Sequence, residues 1–179
     1  MFKLILAILA TSLATMLITA CSPKFDWRSV QDTASPYTVL MPGKPSEMSR
    51  DIQLGAQTVT MHMTATQIDG VNFAVGAAKM TDATQAQMTV AIIKNNLVAK
   101  MAGHITHEKT TVANTNGTVT FNDEFGAVTN PANMATTPTR MLGRIVAHDA
   151  WVFQVLVVGP EKDINKDAVE TFLTSFKLL

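Results

Sequence analysis

The chain has 179 residues, 47% hydrophobic and 16% charged, with 14 Lys+Arg against 14 Asp+Glu and a single Cys. That balance excludes a basic face able to neutralise phosphates, so nucleic acid is not an expected partner, and no charge run suits a polybasic lipid-binding surface. One Cys likewise excludes a disulfide framework.

In chain order, Lys3 precedes an uncharged stretch at residues 4–20, which is the layout of a secretory signal. A spanning helix needs roughly 20 predominantly apolar residues. This stretch is shorter and is interrupted by Thr11, Ser12, Thr15 and Thr19, so a permanent span is the poorer reading. The signal ends in Ile18-Thr19-Ala20-Cys21, which resembles the bacterial lipobox, where small residues precede a Cys that is acylated before cleavage. The resemblance implies a lipoprotein whose mature form begins at Cys21 with diacylglyceryl and palmitate-type chains. Each buried CH₂ of such chains contributes about 0.8 kcal/mol, and two chains make anchoring stable. Ser22, as a non-Asp residue after the Cys, implies an outer-membrane address more than an inner-membrane one. Removal of residues 1–20 leaves 159 of the 179 residues and takes away only Lys3, so 14 basic side chains become 13 against 14 acidic ones. That length is expected to make one domain.

Residues 21–36 are read as the lipidated N-terminus and a polar tether of at most about 50 Å when extended. Trp27 interrupts the tether and is expected either to cap the edge of the domain or to face a partner or the membrane interface. The domain is placed at residues 37–179. Tyr37, Val39 and Met41 alternate with Thr38 and Leu40 before the turn Pro42-Gly43-Lys44-Pro45. Strands are expected at residues 46–54 and 57–68 across Gly55-Ala56, then at 72–80 after Asp69-Gly70, a strong hairpin turn. Ala86, Val90, Ile93, Leu97 and Met101 share one helical face, predicting a helix over 82–102 with Gly103 as its stop. Four strands should follow at 104–113, 118–129, 139–148 and 151–158, paired as two antiparallel hairpins.

In the last of these, Trp151, Phe153, Val155 and Val157 line one face and Val152, Leu156 and Val158 the other, interrupted only by Gln154. A strand apolar on both faces must be covered on both. Asn165 and Asp167 begin a second helix carrying Val169, Phe172, Leu173 and Phe176, with Lys177 in its last turn. The expected fold is therefore α/β (α+β), an antiparallel sheet sandwiched between two helical elements.

The opening Tyr37, Val39, Pro42 and Pro45 and the closing Phe172-Leu173-x-Ser175-Phe176, with a long helix and a meander between, resemble the PsbP-like fold. This fold includes periplasmic lipoproteins of the DcrB type, and its members are mostly accessory or assembly factors. The resemblance implies a non-catalytic role.

Chemistry-bearing residues support that reading. The segment "VTMHMTA" in a chain with 11 Met invites copper, since thioether and imidazole suit Cu(I). On a strand, however, Met61 and Met63 share one face while His62 points to the other, so Met as core filler is preferred. His104 and His107, three apart on a strand, are expected on opposite faces. His148-Asp149 occupies a turn. Ser35, Ser46, Ser49 and Ser175 have no evident His partner, Asp123 and Glu124 diverge, and neither a nucleophile elbow nor a phosphate loop is present. No cofactor is expected. Residues 129–138 form the longest unpatterned interior stretch, and Asn130, Pro131, Asn133, Met134 and Pro138, with Trp27, are the candidate contact surface. The function read from sequence is a non-enzymatic, lipid-anchored envelope module facing the periplasm and binding another envelope protein. The alternatives are a copper-handling lipoprotein and a hydrolytic enzyme with a non-contiguous site.

Overall fold

The computed structural model describes residues 23–31, 33–55, 57–115, 117–129 and 138–179. The signal, Cys21, Ser22, Asn130, Pro131, Asn133 and Met134 lie outside the described residues. Strands β1 (Arg28–Gln31), β2 (Tyr37–Met41), β3 (Ser46–Leu54), β4 (Gln57–Ile68) and β5 (Val71–Lys79) precede helix α1 (Ala83–Lys100). Then come β6 (Gly103–Thr115), β7 (Thr118–Thr129), β8 (Thr139–His148) and β9 (Trp151–Pro160), helix α2 (Lys166–Ser175) and the two-residue β10 (Lys177–Leu178). Two sheets result: a seven-stranded one ordered β3-β4-β5-β9-β8-β7-β6 and a three-stranded one ordered β1-β2-β10. Every pairing is antiparallel.

Local chemistry sets the joints. Asp69 and Gly70 both take positive φ, 49° and 80°, as a two-residue hairpin turn between twisted strands requires. At the start of α1, Asp82 accepts a hydrogen bond from the Gln85 backbone N–H at 2.8 Å, and the Gln85 side chain accepts from the Thr81 N–H at 3.0 Å. Together these satisfy two amide donors that would otherwise have no helical partner.

The central strands of the large sheet, β5, β8 and β9, are buried on both faces, while the edge strands β3 and β6 are largely exposed. On one face, Phe73, Val75, Phe153, Val155 and Val157 pack with Tyr37, Val39 and Met41 of β2 and with Val169 and Phe172 of α2. On the other, Met61, Val152, Leu156 and Phe125 pack with Ala86, Val90 and Ile93 of α1.

The expected sheet sandwiched between two helical elements is not what the chain forms. Strand dominates, and a second sheet together with α2 covers the central strands on the face opposite α1. The reason is geometric: α2 has ten residues and so is about 15 Å long, too short to cover seven strands. β2 instead turns Tyr37, Val39 and Met41 inward in alternation, each at most 2% exposed. Arg28–Gln31, assigned to the tether by sequence, pair with β2 as β1. Lys177, expected in the last turn of α2, lies beyond it and pairs with Thr38 in β10.

The large sheet is coiled around α1. On one side of the helix Lys94 reaches Glu108 of the edge strand β6. One residue earlier, Ile93 faces residues of the other edge strand, β3. Seven strands laid flat would hold their edges roughly 29 Å apart, against a helix diameter of about 10–12 Å. Both edges can meet a single helical turn only if the sheet curls.

Candidate functional site: a groove between helix α1 and strand β3

The helix is fastened asymmetrically. Lys94, with 11% of its side chain exposed, places Nζ 2.6 Å from Asp123 of β7 and 2.9 Å from Glu108 of β6, and Asp123 is only 5% exposed. Thr110 donates to the second Asp123 oxygen at 3.1 Å. Burial alone lowers the Lys94 pKa. The hydrogen bonds to Asp123 and Glu108, with the charges of both carboxylates, outweigh that and leave it raised.

On its β3 side α1 stands away from the sheet, and a groove opens. Its wider part has a volume of about 530 Å³. Ile52 and Leu54 of β3 and Ile93 and Leu97 of α1 make apolar walls, and Met61 and Gln154 make the floor. A separate hollow of about 390 Å³, which shares Leu54 with it, is lined by Met80, Met88 and Ile92 near the start of the helix. Met88 is 70% exposed there, a large apolar side chain left on that hollow's lip.

The floor depends on Gly76. Gln154, otherwise the sole polar interruption of β9, lies across from Gly76 and donates from Nε2 to Met61 Sδ at 3.3 Å. A Cβ on Gly76 would sit 2.7 Å from that nitrogen and 2.9 Å from the sulfur, so the missing side chain lets the amide and thioether meet. Arg50 and Lys100 stand at the rim. Sequence offered a signal for Gln154, which broke an apolar run, for Met61 in its Met-rich strand, and for Ile93 and Leu97 on the helix stripe. Arg50, Asn96 and Lys100 carried none.

Of the described sequence-predicted candidates, Met61 lies in the groove floor and the others do not line its wider part. Met61 is buried toward α1, Met63 is half-buried on the same face, and His62 points to the opposite face, so the three do not converge. Among the described residues no group of three His, Cys, Asp or Glu is placed to hold a metal ion. Ser49, read as lacking a His partner, has its Oγ 2.8 Å from His62 Nδ1. Thr120 Oγ1 lies likewise 2.7 Å from His148 Nδ1. Both are directly opposed cross-strand pairs, contacts that brace a sheet. Among the described residues the ion-pairing carboxylate beside either imidazole is Asp149, 3.7 Å from His148 Nε2.

His104 and His107 correct the alternation argument. A register shift between Ile105 and His107 leaves Thr106 extra, so the two His oppose Val128 and Gly126 and fall on one face. Asp123 points inward to Lys94 while Glu124 is exposed, as expected for neighbours on a strand. Ser46 and Ser175 bond backbone carbonyls, and Ser35 is buried. Trp27 is half-buried against the β2–α2 core beside Phe25, ring centroids 5.8 Å apart. Pro138 is exposed, and its carbonyl accepts from the Glu161 N–H at 2.8 Å. No helix among the described residues is long and apolar enough to cross a membrane.

No family model and no curated protein matches the chain. Among solved structures it is similar to cyanobacterial PsbP (CyanoP) from Synechocystis sp. PCC 6803, with 13% identity and a TM-score of 0.50. The similarity covers 89% of this chain and 96% of that one, and from it the architecture described above is identified as a PsbP-like fold.

Proposed function

We propose that this protein is a non-enzymatic binding module of a bacterial cell envelope, anchored by acylation of Cys21 and engaging its partner through the groove between α1 and β3. The observation that carries the reading is the groove itself: an open channel with apolar walls, a polar floor and cationic rim residues. Such mixed lining suits holding a ligand more than transforming it. Cys21 follows the signal-like stretch at the lipobox junction, and Ser22 favours the outer membrane, with the domain facing the periplasm. Anchoring confines the domain to a surface and raises its effective concentration near other envelope components, so a weak groove contact suffices.

The test is photocrosslinking in intact cells with Asn96→p-benzoylphenylalanine in the groove and Thr174→p-benzoylphenylalanine on exposed α2 as the control position. The expected result is a discrete adduct from position 96 and none from position 174. Equal labelling from both positions, or none from either, overturns the reading.

A further inference from the structure

We propose that the wider part of the groove takes a small amphiphilic anion, an apolar chain ending in a carboxylate, a ligand class that rests on the groove being the binding surface proposed above. The walls supply the apolar half. Ile52, Leu54, Ile93 and Leu97 face one another across about 530 Å³, within the range of roughly 300–1,000 Å³ usual for small-molecule sites.

The polar half is cationic. Arg50 and Lys100 both line this space and are exposed, and neither has an ion pair or a side-chain hydrogen bond among the described residues. Lys94, Lys24 and Arg140, by contrast, each hold a carboxylate, and what sets Arg50 and Lys100 apart from the other unpaired lysines is that both border this one apolar space. Two unspent cations at one rim attract a negative headgroup. Asp51 also borders this space, but its Oδ1 accepts from Thr60 at 2.7 Å, which partly occupies that carboxylate and leaves the two cations in excess at the rim.

The floor adds a donor that can be exchanged. Gln154 Nε2 donates to a thioether, a weak acceptor. A carboxylate oxygen is a stronger one, so an arriving headgroup can take over the amide while the apolar chain lies along Leu97 and Leu54. Opposite charge at the rim, oily walls and an exchangeable amide select for an anion and against a cation of the same chain length.

The experiment uses the full chain held in zwitterionic nanodiscs, with methyl-¹³C methionine as the reporter and decanoate as the probe. Decanoate is expected to shift the Met61 methyl resonance saturably, while decyltrimethylammonium leaves it in place. The exposed double variant Arg50→Gln/Lys100→Gln should bind decanoate about fivefold more weakly or worse, the size expected for two exposed charge contacts. Arg50→Lys/Lys100→Arg should retain binding, and raising salt should weaken it for the native chain. No saturable Met61 shift, an equal response to the cationic probe, or an unchanged double variant overturns the ligand class. Crosslinking from position 96 separates the two levels. A protein-sized adduct without decanoate binding rejects the amphiphile and keeps the groove as a binding surface, whereas failure of both rejects both.

Discussion

At the residue scale, the buried cation at position 94 sets where the groove opens. Lys94 ties α1 to β6 and β7 through Glu108 and Asp123, and the opposite flank of the helix is left apart from β3. Removing it would strand Asp123, since breaking a buried pair from one side costs about 3–5 kcal/mol. Lys94→Met is expected to lose about 3 kcal/mol in urea unfolding, at the lower end because Glu108 is half-exposed. The pH dependence has a definite sign. With the folded pKa raised above the ordinary 10.5, the folded state holds its proton more tightly. This contribution is therefore present below about pH 10.5 and is lost as pH rises through the folded-state value. Unfolding measured from pH 9 upward should show that loss in the native chain and lack it in Lys94→Met. Gly76→Ala is a second residue-scale prediction. The added methyl must displace Gln154 and Met61, costing about 1–3 kcal/mol of overpacking, to be read from the denaturation midpoint. Neither arrangement was legible in the sequence. Glu108 and Asp123 are 14 and 29 positions from Lys94, and only the strand register of β6 on β7 brings them together. The polar break at Gln154 and Met61 as core filler were visible, but their meeting over Gly76 was not.

At the scale of elements, alternation and turn chemistry located most of the strands, because a half-buried strand must write its burial into every second residue. The turn at Asp69-Gly70 and the helix stripe from Ala86 to Ile93 follow the same logic. Asp82→Ala removes the side-chain acceptor for the Gln85 N–H and is expected to cost about 1 kcal/mol, measured as a fall in Tm with the fold retained. Phe172, fully buried on α2 with its ring 5.5 Å from Phe73, should cost about 3–5 kcal/mol when changed to Ala. What escaped the pattern was β1. Its four residues show no inward alternation and are exposed apart from half-buried Val30, so pairing with β2 rather than burial makes them a strand. The extra residue at Thr106 also escaped, since a bulge has no periodic signature, and it reversed the expected facing of His104 and His107.

At the scale of the whole molecule, one coiled sheet carries two unlike covers: α1 on its concave face and a small sheet with α2 on the other. The sequence showed that both faces of β9 needed covering but did not show that one cover would itself be a sheet. That choice is settled by pairing of β2 with its sequence neighbour β1 and, non-locally, with β10, where Lys177 lies 139 positions beyond Thr38. The groove was illegible for the same reason, since it is bounded by β3 and α1, which are joined only through the intervening hairpins. The contact surface expected at residues 129–138 falls at 130–137 outside the described residues, and length and lack of pattern say nothing of where a sheet curls. In the proposed role Cys21 would hold the domain at a membrane, and that anchor is the premise on which the role rests. The most direct measurement is the intact mass of the processed chain recovered from separated membrane and soluble fractions, with Cys21→Ala alongside. The predicted result is a polypeptide starting at Cys21, carrying acyl chains and confined to membranes, with the variant unacylated and released. A native chain found soluble with a free thiol at position 21 would contradict it.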